Sequence, residues 1–221
     1  MINTATLNFL SDLERNNNRE WFHANQEKYE AAKESVLQTV LYFTAEISKF
    51  DNSIKPFDPK KGLFRIARDT RFCKNKDPYK LNFGACINPE GKNISSLSTY
   101  YLHVKPNESF FSAGVYMPEK DELTEIRYAI YNNFDEFYSI INASAFIKKF
   151  GKMSTDYKLT RVPMGFDKND PSAEYLKFKN FFVYINLSDD VLTNPIQCSD
   201  AVISAAKLMM PFNNFFNSIF R

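Results

Sequence analysis

Val36, Val40, Phe43, Ile47 and Phe50 recur three or four residues apart, which predicts one long amphipathic helix over about 26–50. Thr4 and Asn18 are of the type that caps a helix start, so the first third of the chain reads as helical. Lys55-Pro56-Phe57-Asp58-Pro59 ends that region, because proline lacks the donor that a helix interior needs and restricts the residue before it. After Leu63 the period falls towards two. Four strands are predicted at about 63–68, 80–87, 99–105 and 109–116. Short turn-forming connections, including Asn88-Pro89-Glu90-Gly91-Lys92 and Lys105-Pro106-Asn107-Glu108, make antiparallel neighbours of them.

Pro118 opens a second helical stretch with Leu123, Ile126, Ile130 and Phe134 on one face, followed by helix over 137–150 ending at Gly151. Phe181-Phe182-Val183-Tyr184-Ile185 reads as a further strand, and 200–220 as one or two helices broken near Pro211. The expected class is therefore α+β: an antiparallel sheet from about 63–117 plus a strand near 181–186, covered by amino-terminal and carboxy-terminal helices. No linker composition or fixed-period repeat interrupts the chain, so residues 1–221 are expected to form a single compact domain.

Composition changes this picture little. The chain has 221 residues, 44% hydrophobic and 24% charged with a formal net charge of +2, which excludes disordered, collagenous and membrane-spanning classes. Its 22 Phe and 12 Tyr mean that large rings fill the core. Cys73, Cys86 and Cys198 are odd in number and widely spaced, and only His23 and His103 exist to complete a metal site. No metal and no cofactor are expected, and the thiols should be free. Met1-Ile2-Asn3-Thr4 does not open a secretory signal, so a cytoplasmic location and no membrane partner are expected.

Charge distribution changes the picture more. Residues 60–80 carry eight basic side chains against two acidic ones, a local +6, while the remaining chain has 20 against 24. Such a concentration is a field aimed at an anion, or an internal network needing many donors. Strand alternation places Arg65, Asp69 and Arg71 on one face and Arg68 with Phe64 and Ile66 on the other. Arginine on an apolar face stays charged and needs carboxylate, carbonyl or phosphate acceptors, so something anionic, a ligand or an internal carboxylate, is expected to meet Arg68. Arg65, Arg68, Arg71, Lys76 and Lys80 are the candidate anion donors, with Asp69 orienting them and Tyr79 beside them. The competing reading has Asp69 and other carboxylates satisfying these arginines internally.

The sequence resembles a family of bacterial and fungal proteins catalogued as a domain of unknown function. The resemblance rests on Asn16-Asn17-Asn18-Arg19-Glu20-Trp21-Phe22, on Phe64-Arg65-Ile66-Ala67-Arg68-Asp69-Thr70-Arg71-Phe72 with Lys76-Asp77-Pro78-Tyr79-Lys80, and on Pro163-Met164-Gly165-Phe166-Asp167. It spans most of the chain and implies no established activity. The chain departs from the family pattern at Cys73, Ser112, Ala113 and Asp170, where serine, two glycines and histidine are usual. The last departure weakens any scheme with a general base at that position.

Trp21, Tyr101 and His103 are the candidate stacking or supporting residues. Tyr101 and His103 share a strand face and come within reach of the basic segment if the strands pair. Cys73 follows cations that would lower a thiol pKa, but no histidine adjoins it. Gly114 before Met117-Pro118 marks either a bulge or a close approach of a ligand to the backbone. No Walker loop, dinucleotide fingerprint or hydrolase motif is present, so whether the protein is an enzyme stays open. The leading expectation is binding, with or without turnover, of an anionic or phosphorylated small molecule at the Arg/Lys cluster. The alternative is a module that meets an acidic protein or nucleic acid with the same strip. The two differ in shape: a concave pocket lined by Tyr79, Tyr101 and Trp21 against an exposed strip. Oligomeric state is not legible.

Overall fold

A computed structural model of the chain describes residues 1–54, 58–88, 98–153 and 157–220. The expected α+β class holds. Among the described residues there are ten α-helices and four strands: α1 (Thr4–Arg15), α2 (Arg19–Ala24), α3 (Gln26–Ile47), α4 (Pro59–Gly62), α5 (Lys120–Asn132), α6 (Phe134–Ile141), α7 (Ser144–Phe150), α8 (Ala173–Leu176), α9 (Asp189–Thr193) and α10 (Pro195–Asn217), with β1 (Phe83–Ile87), β2 (Thr99–Val104), β3 (Ser109–Val115) and β4 (Phe181–Leu187) in the order β1-β2-β3-β4. The chain divides into two compact units, one of Met1–Lys92, Tyr101–Phe111 and Asn186–Ser204, the other of Asn93–Tyr100, Ser112–Ile185 and Ala205–Arg221.

In the first unit the α1 and α3 stripes bury Leu10, Leu13, Val36, Val40, Phe43 and Ile47 with the inward residues Phe83, Ala85 and Ile87 of β1. Ring contacts tie these layers together, Phe9 and Tyr29 to Phe83 and Phe43 to Phe111. On β2, Leu102 and Val104 are fully buried while Tyr101 and His103 stand half-buried on the other face, as the period-two pattern requires. In the second unit Phe137, Phe181, Phe212 and Phe216 form an aromatic core. A buried polar network also lies there: Ser98 donates through its amide to Asn217 Oδ1 at 2.8 Å and through its hydroxyl to Asn213, and Asn217 returns a bond to the Ser98 carbonyl.

Two expectations need correction. The segments at 63–68 and 80–82 are not strands; their antiparallel partnership survives only as two isolated bridges, Leu63 to Ala85 and Ala67 to Tyr79. Between those bridges the chain takes four steps outward, 63 to 67, and six on return, 79 to 85, so Leu81 and Asn82 are extra. A two-residue bulge of this kind breaks the ladder and leaves the two arms paired only at the isolated bridges. The second correction is at Pro211, where α10 runs on unbroken. Proline inside a helix costs about 3 kcal/mol. Pro211 lies on the exposed side of α10, while Met209, Phe212, Phe215 and Phe216 are buried around it. Each such side chain contributes roughly 1.5–3 kcal/mol, which outweighs the break. The turn expected at 88–92 and the helix end expected at 55–59 fall largely outside the described residues.

Candidate functional site

The three sequence motifs fall into place through local contacts. In the first, Asn16 ends α1, its side chain donating to the Asp12 carbonyl, and Asn18 caps α2 by accepting from the Trp21 amide at 2.9 Å. Between them Asn17 reads the backbone of Tyr79, donating to its carbonyl at 3.0 Å and accepting from its amide at 3.2 Å. The Tyr79 ring stacks on Phe22 at 3.9 Å between centroids and 13° between planes. The amino-terminal motif is thus a clamp that holds the returning arm of the hairpin. Two hydrogen bonds of about 1 kcal/mol each predict that Asn17→Ala costs about 2 kcal/mol in urea unfolding, and that Asn17→Asp does no better, since a carboxylate faces a carbonyl. Unchanged exchange protection of the Tyr79 amide in both variants would refute the clamp.

From that base the basic segment projects as an exposed hairpin. Arg68 lies half-buried at its root, and its amide pairs with Pro78 O. Of the acceptor classes expected for its guanidinium, it meets a carbonyl: Nη1 donates to Asp77 O at 3.3 Å. The turn itself supplies a neutral acceptor, so the charge is held without being neutralised. Arg71 instead forks onto Asp69, with Nε to Oδ1 at 3.0 Å and Nη2 to Oδ2 at 2.7 Å. These donors, together with the Arg71 amide and the nearby Arg65 charge, hold the Asp69 carboxyl below its ordinary pKa. Lys76 Nζ donates to the Thr70 carbonyl at 2.9 Å. Among the described residues Arg65, Arg68, Lys74 and Lys76 form no ion pair. Phe72, at the tip, is 94% exposed and lies under the Arg71 guanidinium at 5.8 Å.

At the root of the hairpin the chain enters a cluster of rings. Lys80 Nζ stands 5.5 Å over Phe64, whose edge meets Tyr101 at 6.2 Å. Tyr101 lies across Gly84, where any side chain would strike its hydroxyl. The Tyr101 hydroxyl is 3.2 Å from His103 Nδ1, and His103 stacks on Phe110 at 4.6 Å and 8°. Burial first, and then the Lys105 charge, push the His103 pKa down to about 4, so the imidazole is neutral at pH 7. In the tautomer with Nδ1 bare, Tyr101 donates to it and Nε2 keeps the ring hydrogen.

The predicted residues therefore separate. Tyr101 and His103 meet as their shared face implies, and Lys80 reaches them through Phe64. Tyr79 turns to Phe22 and Trp21 to Phe9 at 6.0 Å, while Tyr101 meets Phe64, Phe110 and His103, so the three rings that would line a pocket in the ligand reading face different neighbours. Phe64, Gly84 and Phe110 were not anticipated as site residues, although the parity of β3 puts Phe110 opposite Phe111 and the parity of β1 puts Gly84 opposite Phe83. The third motif is a packed loop: Phe166 sits against Tyr128 and Tyr131, and Asp167 accepts from the Asn169 amide. Asp170 ties down the Ser172 amide, a turn role that asks for no titrating group. Cys73, Cys86 and Cys198 are all free, and burial pushes the Cys198 thiol up to about 11. Among the described residues no group of three or more His, Cys, Asp and Glu is arranged to hold a metal ion, and no helix is long and apolar enough to cross a membrane.

No curated protein and no solved structure matches this chain. The model of a family of conserved hypothetical proteins, DUF2461, matches residues 5–215, which takes in the clamp, the hairpin, the ring cluster and the packed loop together, and the chain belongs to that family.

Proposed function

We propose that the protein is a binding module whose basic hairpin docks an extended anionic partner. The observation behind this reading is that, among the described residues, Arg65, Arg68, Lys74 and Lys76 form no ion pair, and that Arg68 and Lys76 are oriented by carbonyls. Guanidinium and ammonium groups fixed by neutral acceptors keep their full charge for a partner. The Asp69 to Arg71 pair adds a cation that is easily re-partnered, because an exposed ion pair contributes little. The cations stand out on a hairpin with an exposed ring at its tip, an arrangement suited to a long partner more than to an enclosed ion. This favours the interaction reading over the phosphate clamp, and it requires no catalysis.

The test is retention on immobilised heparin, used as a generic polyanion. The wild-type protein is expected to bind in dilute buffer and elute with salt, as screened contacts do. The fourfold variant Arg65→Glu, Arg71→Glu, Lys74→Glu and Lys76→Glu is expected to flow through with an unchanged melting temperature. A wild-type protein that is not retained refutes the reading. If millimolar pyrophosphate stabilises the fold against heat and heparin does not, the small-ion clamp replaces it.

A further inference from the structure

The tip of the hairpin says what kind of polyanion it meets. Phe72 is 94% exposed there, and a phenylalanine ring has no hydrogen-bonding atom to give a partner. It gains only by leaving water. The ring is carried on a hydrogen-bonded turn: the Cys73 amide donates to the Thr70 carbonyl at 3.4 Å, and Lys76 Nζ crosses to the same carbonyl at 2.9 Å. Cations flank it on both sides in the chain. From Arg65 to Asp77 there are five cationic side chains against Asp69 and Asp77, a net +3. The Arg71 guanidinium lies 5.8 Å from the centre of the Phe72 ring.

An apolar tip backed by cations matches the layering of a lipid surface, with phosphates outside and hydrocarbon inside. An acidic peptide has the charges, but it offers the ring a slot only where its own side chains build one. A nucleic-acid strand offers bases, which need an open ring face, and the Arg71 guanidinium stands over one face of Phe72. Entry into the headgroup boundary needs no particular face. We infer that the hairpin docks on an anionic phospholipid surface, with Phe72 entering the boundary between headgroups and acyl chains and the cations meeting lipid phosphates. The inference rests on the polyanion reading of the hairpin and adds the identity of the partner. It departs from the expectation of no membrane partner, which followed from the opening residues of the chain; a surface contact needs neither a leader nor a span. Contacts of this type sink by roughly 5–10 Å. Arg71 and Lys74, next to the tip in sequence, arrive at the phosphates with the ring, and the guanidinium over it is then among its natural acceptors.

Co-sedimentation of the unaltered protein with vesicles tests this, using phosphatidylcholine with about 30% phosphatidylglycerol against phosphatidylcholine alone. At roughly fivefold per charge, the net +3 predicts about a hundredfold preference for the anionic vesicles. Phe72→Ser should weaken that binding by at least about tenfold and leave heparin retention unchanged. In Phe72→Trp, brominated acyl chains in the anionic vesicles should quench the added indole, with the wild-type protein supplying the background of Trp21, which packs on Phe9. Heparin retention without vesicle binding overturns the lipid assignment and leaves the polyanion reading standing. Vesicle binding that is indifferent to Phe72→Ser, with an unquenched indole, overturns the entry of the tip. An oligothymidylate of about twelve nucleotides that binds more tightly than the vesicles, and loses as much with Phe72→Ser, gives the tip to a nucleic-acid strand instead. A wild-type protein that meets neither heparin nor vesicles sinks the hairpin reading itself. The ring is almost wholly exposed, so neither substitution threatens the fold.

Discussion

Gly114→Ala is expected to destabilise the protein by about 3–5 kcal/mol. Two causes act together there. The residue sits at φ +133, where a side chain is strained whatever space surrounds it. A Cβ would also strike the Phe181 carbonyl oxygen and stand 2.6 Å from Phe182 Cα. Both obstacles are backbone of β4, so no rotamer change relieves them, and the β3–β4 pairing must open. Gly151→Ala provides the control. Its φ is +69 with ψ −142, a region that favours glycine, and nothing lies within 4 Å of the added carbon, so only the conformational cost remains, about 1–3 kcal/mol. Urea unfolding of the two variants separates strain from close approach. Equal losses would mean that β3 and β4 are not in contact at Gly114, and that the proposed cause is wrong.

Gly114 also illustrates what could be read from the sequence. Its position in a strand signalled a bulge or a close approach, and the approach proved to be that of the neighbouring strand. Periodicity did well where one physical rule acts alone. The α3 stripe and the β2 alternation that brings Tyr101 to His103 follow from burial on one face. It failed where two terms compete. At Pro211 a local cost lost to the burial of four large side chains, a sum visible only once their partners are known. At 63–82 the pairing of the two arms was legible from turn chemistry, but the two extra residues were not, because Leu81 and Asn82 carry no glycine or proline to announce a bulge.

The candidate site divides in the same way. The +6 segment was obvious from counting, but where its charges are satisfied was not. Alternation placed Arg68 on an apolar face and argued for an acceptor without saying which kind; the bulged hairpin offered a carbonyl of its own turn at Asp77. The clamp from Asn17 to Tyr79 joins residues 62 apart through a side-chain amide that imitates a strand neighbour. No periodic signal precedes a contact of that kind. The Asn-rich motif was therefore legible as a helix cap at Asn18 alone.

A charged residue that had no place among the sequence candidates carries the second large effect. Arg127 on α5 is only 9% exposed and has no carboxylate partner among the described residues. Its Nε donates to the Leu176 carbonyl at 2.8 Å and its Nη2 to the Phe178 carbonyl at 3.3 Å. Those acceptors stand at the carboxy-terminal end of α8, where unpaired carbonyls gather and the helix dipole favours a cation. Burial draws the guanidinium pKa down, yet arginine has far to fall before it loses its proton, so the group stays charged. Removing it relieves a desolvation cost and bares two buried carbonyls at about 1–3 kcal/mol each, while truncation to alanine adds a cavity. The two losses exceed the one gain. Arg127→Ala should therefore cost about 3–4 kcal/mol in urea unfolding, and Arg127→Met, which fills the space without donors, roughly half of that. Arg127→Lys should fall below both, because one ammonium can reach one of the two carbonyls. If methionine proves as stable as arginine, the guanidinium serves as a filler of volume, and the carbonyls of Leu176 and Phe178 do not depend on it.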